Sequence, residues 1–313
     1  MRDTSLVLAA REATYATAPA LTPAANALEV FGYNPEPAIY DEKTRAIERG
    51  MPGARPAIMT RGRQRHQLSF ELRGSGTDNV PTSWGEVWLG AAMFGAPVAA
   101  ADEVAYPLIS DGDGGSVAMY GFRDKLRMTP TGMRGNIVFT FEEGNFPYAT
   151  ADLLGLLPAL PTESAPGVPT FPDEPAPLEV NTVNTAFTLG GYALKLRSFT
   201  LDLGMKTEYR TLVGQNSVVF GSDQSGDRRQ IGGRIVGELP DLSAHNYFND
   251  ISAQTDLALS LIHGPAGNQI EISSATLNLR SPSISVEQGR LMLTADYALV
   301  PSAANDELTL VTR

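Results

Sequence analysis

Apolar and polar positions alternate through both halves of the chain and predict strands. At His66-Gln67-Leu68-Ser69-Phe70-Glu71-Leu72, the residues Leu68, Phe70 and Leu72 share one face while Gln67, Ser69 and Glu71 share the other. The same period returns from Arg290 to Val300 and places Leu291, Leu293, Ala295, Tyr297 and Leu299 inward. Between Tyr192 and Leu203 the pattern changes phase near Arg197-Ser198, with Leu194 and Leu196 on one parity and Phe199, Leu201 and Leu203 on the other. A β-bulge is predicted there, because one extra residue flips every later side chain. Two short helices interrupt the strands. Ser83-Trp84-Gly85-Glu86 has capping-box spacing ahead of Trp84, Val87, Trp88 and Ala91, and Pro240-Asp241-Leu242 opens a second stretch with Leu242, Phe248 and Ile251 available for burial.

The segment Pro158 to Pro177 carries seven prolines in twenty positions. It lacks the donors a sheet needs and reads as an extended strap rising about 3 Å per residue. It divides the chain into a first β domain, 1–157, and a second, 178–313. The order of features is the same in both. A polar stretch rich in Arg (Thr60 to Arg65, Ser225 to Gln230) feeds a strand, then come a break, a helix and further strands. This predicts an internal duplication. The length of 313 residues permits two independent cores.

Composition narrows the chemistry. Cysteine is absent, and His66, His245 and His263 lie too far apart for a local metal-ligand spacing. Acids outnumber bases by 35 to 24, without a block of like charge, which argues against tight binding to a phosphate backbone. No apolar run of about 20 residues is present to span a membrane, and the apolar start is broken by Arg11-Glu12, unlike a secretory signal. Ser110-Asp111-Gly112-Asp113-Gly114-Gly115 has a faint likeness to a calcium loop but lacks the later Glu, so it reads as a turn. Glu142-Glu143 alternate across a strand and cannot share a substrate. Trp84 and Trp88 fit core packing better than glycan stacking. No catalytic residue, cofactor or metal site is assigned.

Several segments resemble the tail tube protein (major tail protein) family of siphophages, the long-tailed bacteriophages. They are Ala10 to Tyr15 leading to Asn26-Ala27-Leu28, Phe70 to Thr77, Pro81 to Gly85, Met133 to Asn136, Phe171-Pro172-Asp173, Ser198 to Gly204, Tyr209-Arg210 and Asn305 to Leu310. They lie in the expected order and span most of the chain. The resemblance implies an all-β protein with two tandem tube-type β-barrel or β-sandwich domains, which assembles into stacked rings, trimeric pseudo-hexamers or hexamers. The rings would form the channel for DNA ejection in a virion tail assembled in the host cytoplasm. It implies self-association, with a tape measure protein and tail terminator and tail tip proteins as further partners. DNA would pass without specific binding, and no membrane is involved.

For such a conduit, Glu71, Glu142, Glu238 and Asp296 are the channel-lining candidates, because acidic groups do not hold phosphates. The polar stretch Asp41 to Arg61 reads as a long loop. Its charges Glu42, Lys43, Arg45, Glu48, Arg49, Arg55 and Arg61 are the inter-ring contact candidates, and Lys206 to Ser225 is expected to make the equivalent contact in the second half. The rival reading is another virion, baseplate or adhesin-like β-sandwich that binds a partner through one specialised face.

Overall fold

The computed structural model describes residues 4–47, 50, 53–92, 94–109, 114–213, 217–221 and 229–313. Its main elements are β1 (Ser5–Arg11), β2 (Phe31–Thr44), β3 (Ala57–Glu71), α1 (Ser83–Ala91), β4 (Val117–Arg123), β5 (Thr131–Glu142) and β6 (Tyr148–Leu156) in the first half. The second half contributes β7 (Thr185–Leu189), β8 (Leu196–Asp202), β9 (Gly232–Glu238), α2 (Tyr247–Ala253), β10 (Leu257–His263), β11 (Ile270–Glu287), β12 (Arg290–Leu299) and β13 (Thr309–Thr312). The protein is nearly all β, built around a large curled antiparallel sheet, as expected.

The principal sheet runs β2-β3-β6-β5-β8-β9-β12-β11. Its first four strands come from the first half and its last four from the second. The connectivity of the two sets is the same. In each, a strand pair leads to a helix, then to a strand of the covering layer, then to a hairpin whose second strand returns beside the first pair. Thus β1 pairs with β4 as β7 pairs with β10, and β4 meets β5 as β10 meets β11.

One face of this sheet is buried because its strands alternate. Leu68, Phe70, Ile137, Phe139, Phe141, Phe199, Leu201, Leu293 and Ala295 lie in the core. Helix α1 packs into the same space, with Trp84 stacked on Phe70 and Tyr106 at 6.0 Å each and edge-on to Phe139 at 6.3 Å. The buried side chains do not separate at the strap into two cores. One cluster runs from Val7 to Leu310, and a small second one comprises Leu8, Leu21, Ala27 and Phe122. The cause is the β5-β8 pairing, which sets Phe141 against Phe199 at 6.2 Å.

Local expectations meet mixed outcomes. The bulge falls between Leu196 and Ser198, as the phase change predicts. The cap of α1 is Thr82 rather than Ser83, its hydroxyl accepting from the Gly85 amide at 3.1 Å. The second helix starts later than expected, capped by Asn246, because Asp241 to Ala244 closes a separate turn and Leu242 is left exposed. Leu291 is also exposed while Met292 is buried, since the inward parity begins only at Leu293 once β12 enters the sheet. Asp41 to Arg61 is not a long loop. Residues 41–44 and 57–60 continue β2 and β3 as a two-stranded ribbon, leaving only 45–56 as connection. A ribbon wet on both faces has no apolar period to betray it.

The strap lies along the first half. Thr162-Glu163 bridges Arg127-Leu126, the Thr170 amide donates to the Pro23 carbonyl at 3.0 Å, and Glu174 meets α1. There the Glu174 carboxylate accepts from the Ser83 amide at 2.6 Å and from Arg73 at 3.0 Å. An anion at a helix N-terminus is favoured by the unsatisfied amides and the helix dipole.

The shared core predicts one cooperative unfolding event. Phe199→Ala removes the ring in contact with Phe141, Phe187 and Tyr297 and should cost about 3–5 kcal/mol. Tryptophan fluorescence, which reports the first half alone, and far-UV circular dichroism should shift together in denaturant; two separated transitions would contradict the shared core.

Candidate channel wall and assembly edges

The sheet face opposite the core is polar and crosses both halves without a break. One row of directly opposed residues reads Glu71, Tyr148, Thr140, Thr200, Arg234, Asp296 and Arg280. Beside it run Ser69, Thr150, Val138, Asp202, Gly232, Ala298 and Asn278. All four acids expected on the channel wall, Glu71, Glu142, Glu238 and Asp296, sit on this face, each at the parity opposite buried neighbours.

The face is less bare of cations than the acidic expectation implies. Arg65 donates to Asp152 at 2.7 Å, and Arg234 donates to Asp296 at 2.8 Å. Lys195 donates to Glu238 at 3.0 Å, with Arg290 3.6 Å from the same carboxylate. Arg197 lies 2.8 Å from Glu143 and 3.4 Å from Glu287, and Arg73 lies 3.8 Å from Glu71. Hydrogen bonds from these carboxylates raise the pKa of Arg65, Arg197 and Arg234 above the ordinary guanidinium value. Cross-strand pairs of this kind add little stability in water, but they occupy the guanidinium donors that would otherwise meet a phosphate. Glu142 accepts from the Asn145 side-chain amide, while Glu143 turns to Arg197, so the adjacent carboxylates part as alternation requires.

The inter-ring candidates divide. Glu42 and Lys43 are strand residues opposite Met59 and Ile58, and Arg61 lies 3.6 Å from Asp41. Arg63 also donates to Asp41 at 2.9 Å and is the main cause of that carboxyl's lowered pKa. Arg45 belongs to the connection, its amide bonded to the Pro56 carbonyl, and Arg55 stands near the same end. Glu48 and Arg49 lie outside the described residues, as do Ser110 to Asp113 of the calcium-like stretch. The segment expected to match this loop in the second half is engaged on its own chain. Glu208–Arg210 and Val218–Phe220 pair, the Val219 amide donates to the Tyr15 hydroxyl at 2.6 Å, Arg134 donates to the Val219 carbonyl at 3.0 Å, and the Tyr209 hydroxyl donates to the Gly62 carbonyl.

The two ends of the principal sheet escaped the sequence reading. No strand among the described residues pairs with the outer edge of β2, nor with the outer edge of β11 beyond Arg280. Phe31, Tyr40, Ile284 and Val286 are exposed there. The continued alternation of Ile284 and Val286 was the available signal, hidden behind the Ser281-Pro282 break. Among the described residues no three metal ligands gather, and no helix is long and apolar enough to cross a membrane.

No curated protein matches the sequence. The family model for phage tail tube proteins matches residues 2–301, nearly the whole length. The chain therefore belongs to the phage tail tube protein family, a family of structural components of the virion tail.

Proposed function

We propose that the protein polymerises as stacked rings, each a trimer imitating a hexamer, to form the tube through which DNA is ejected into the host. The observation that carries this reading is the repetition of one four-strand topology, β2-β3-β6-β5 and then β8-β9-β12-β11, with the two sets hydrogen-bonded edge to edge. Three chains supply six such sets. A tape measure protein inside the tube and terminator and tip proteins at its ends complete the set of partners, and assembly takes place in the host cytoplasm.

The stagger of the sheet supports closure. Equivalent pairs in the two sets are Glu71 and Glu238, Tyr148 and Met292, and Asp152 and Asp296. The row through Glu71 nevertheless reaches β9 at Arg234, four residues before Glu238. A stagger of about four residues per four strands equals the ratio in barrels of eight strands and shear eight, whose strands tilt about 36°. Continued over about 24 strands spaced ~4.8 Å apart, it gives a cylinder roughly 45 Å across at the backbone, wider than a DNA duplex. The polar face would line it, with Glu71, Glu142, Glu238 and Asp296 among the wall residues. The β2-β3 ribbon, with Glu42, Lys43, Arg45, Glu48, Arg49, Arg55 and Arg61, would reach the next ring.

Negative-stain microscopy of concentrated protein should show rings or striated tubes, with native mass spectrometry giving three chains per ring. Particles that stay monomeric at every concentration would refute the reading. Replacing Glu71 and Glu238 together by Lys should leave tubes intact and slow DNA ejection, since each added cation gains a phosphate contact; an unchanged ejection rate would remove both from the wall. Deleting residues 50–55 should give folded subunits that form rings but short or no tubes, and tubes of normal length would dismiss the ribbon as a stacking element.

A further inference from the structure

We infer that the open edge of β11 beyond Arg280 receives strand β2 of a second copy, head to tail, in the register that β5 and β8 already adopt within the chain. The inference rests on the ring reading above and specifies its joint. Within the chain, β8 lies on β5 with Ser198 opposite Glu142, Thr200 opposite Thr140, Leu201 opposite Phe139 and Asp202 opposite Val138. The duplicated topology carries each of these positions to an open edge. Through the shared partners on β3, β6, β9 and β12, the equivalents of Glu142, Thr140, Phe139 and Val138 are Glu287, Ser285, Ile284 and Ser283. The equivalents of Ser198, Thr200, Leu201 and Asp202 are Phe31, Asn34, Pro35 and Glu36. The second copy would therefore set Phe31 opposite Glu287, Asn34 opposite Ser285, Pro35 opposite Ile284 and Glu36 opposite Ser283.

Burial distinguishes the two joints in the expected sense. Phe139 and Phe141 are 0% exposed, and Phe141 owes this to Phe199 and His263 of the following unit, 6.2 and 5.9 Å away. Their equivalents Ile284 and Val286 are 52% and 71% exposed. An edge strand carrying exposed apolar side chains is a ready template for another strand. Pro35 and Pro37 in β2 remove two backbone donors and so discourage indiscriminate pairing, which leaves side-chain matching to select the partner.

Charge supplies the matching. In the internal joint the Asn136 side chain donates to Asp202 at 2.7 Å. The equivalents of these two residues are Arg280 and Glu36, so a neutral contact inside the chain becomes an ion pair between copies. Glu36 lies only 3.6 Å from Arg65 within its own chain, a half-exposed pair that leaves a carboxylate oxygen for Arg280. The two edges differ, so the contact is heterologous and needs a closed ring or an unending filament to satisfy every copy.

The absence of cysteine makes a cross-link test direct. Opposed strand residues have Cβ atoms about 4.5–5.5 Å apart, close enough for a disulfide after small adjustment. Asn34→Cys with Ser285→Cys in the full chain should, on mild oxidation of assembled protein, give dimers and trimers on a non-reducing gel. Thr140→Cys with Thr200→Cys should bond within one chain as a control, and Asn34→Cys with Glu287→Cys, out of register, should give little product. Arg280→Glu should raise the concentration needed for assembly by about tenfold or more, and Glu36→Arg in the same chain should restore it. Rings that form without the Asn34-Ser285 cross-link, or without rescue by the charge swap, would overturn this joint while leaving the tube function standing. Wild-type protein that never forms rings would overturn both.

Discussion

Strand β5 lying against strand β8 is the contact on which the architecture depends. It joins halves separated by a proline-rich strap, makes eight strands into one surface and fuses the apolar side chains of both halves into one cluster. Without it Phe139, Phe141, Phe199 and Leu201 would present an apolar strip to water. Because both contributing edges are copies of edges found elsewhere in the chain, the same contact also explains why the molecule has two unfinished ends. A repeat that satisfies itself once internally must leave its first and last members open.

The two faces of the joined sheet carry different duties. The buried face specifies the fold through large side chains in fixed register, where a slip of one residue would turn Phe70 or Phe139 to solvent. The opposite face carries small polar residues and carboxylate-guanidinium pairs, in which cations are held by neighbours across the strands. A net charge of -11 is thus expressed on this face not as a bare acidic surface but as one whose positive groups are already engaged.

What the sequence disclosed and what it concealed follow one rule. Strands with one dry face announced themselves: Leu68, Phe70 and Leu72 are buried as alternation requires, and the slip at Arg197 appeared as a change of parity. Strand β2 was concealed because both its faces are wet, and the distal part of β11 because its apolar residues await cover from outside the chain. The second helix was misplaced because the Asp241 turn imitates a helix start, and Leu242 has no partner to bury it. Separate cores were expected because a strap of prolines usually divides domains; the linear sequence carries no sign that β8 returns to pair with β5. The acids of the polar face were legible by parity, while their guanidinium partners were not, since cross-strand neighbours such as Arg234 and Asp296 are far apart in sequence.

The course of the strap has a consequence for construction. It bends back over the half that precedes it, anchored by Glu174 on helix α1, rather than reaching outward. Each polypeptide therefore encloses all of its own covalent connections, and nothing has to be threaded through or exchanged with another molecule. Such a subunit can be added or withdrawn laterally as a finished block, so a conduit made of these blocks can be laid down around a core that is already in place.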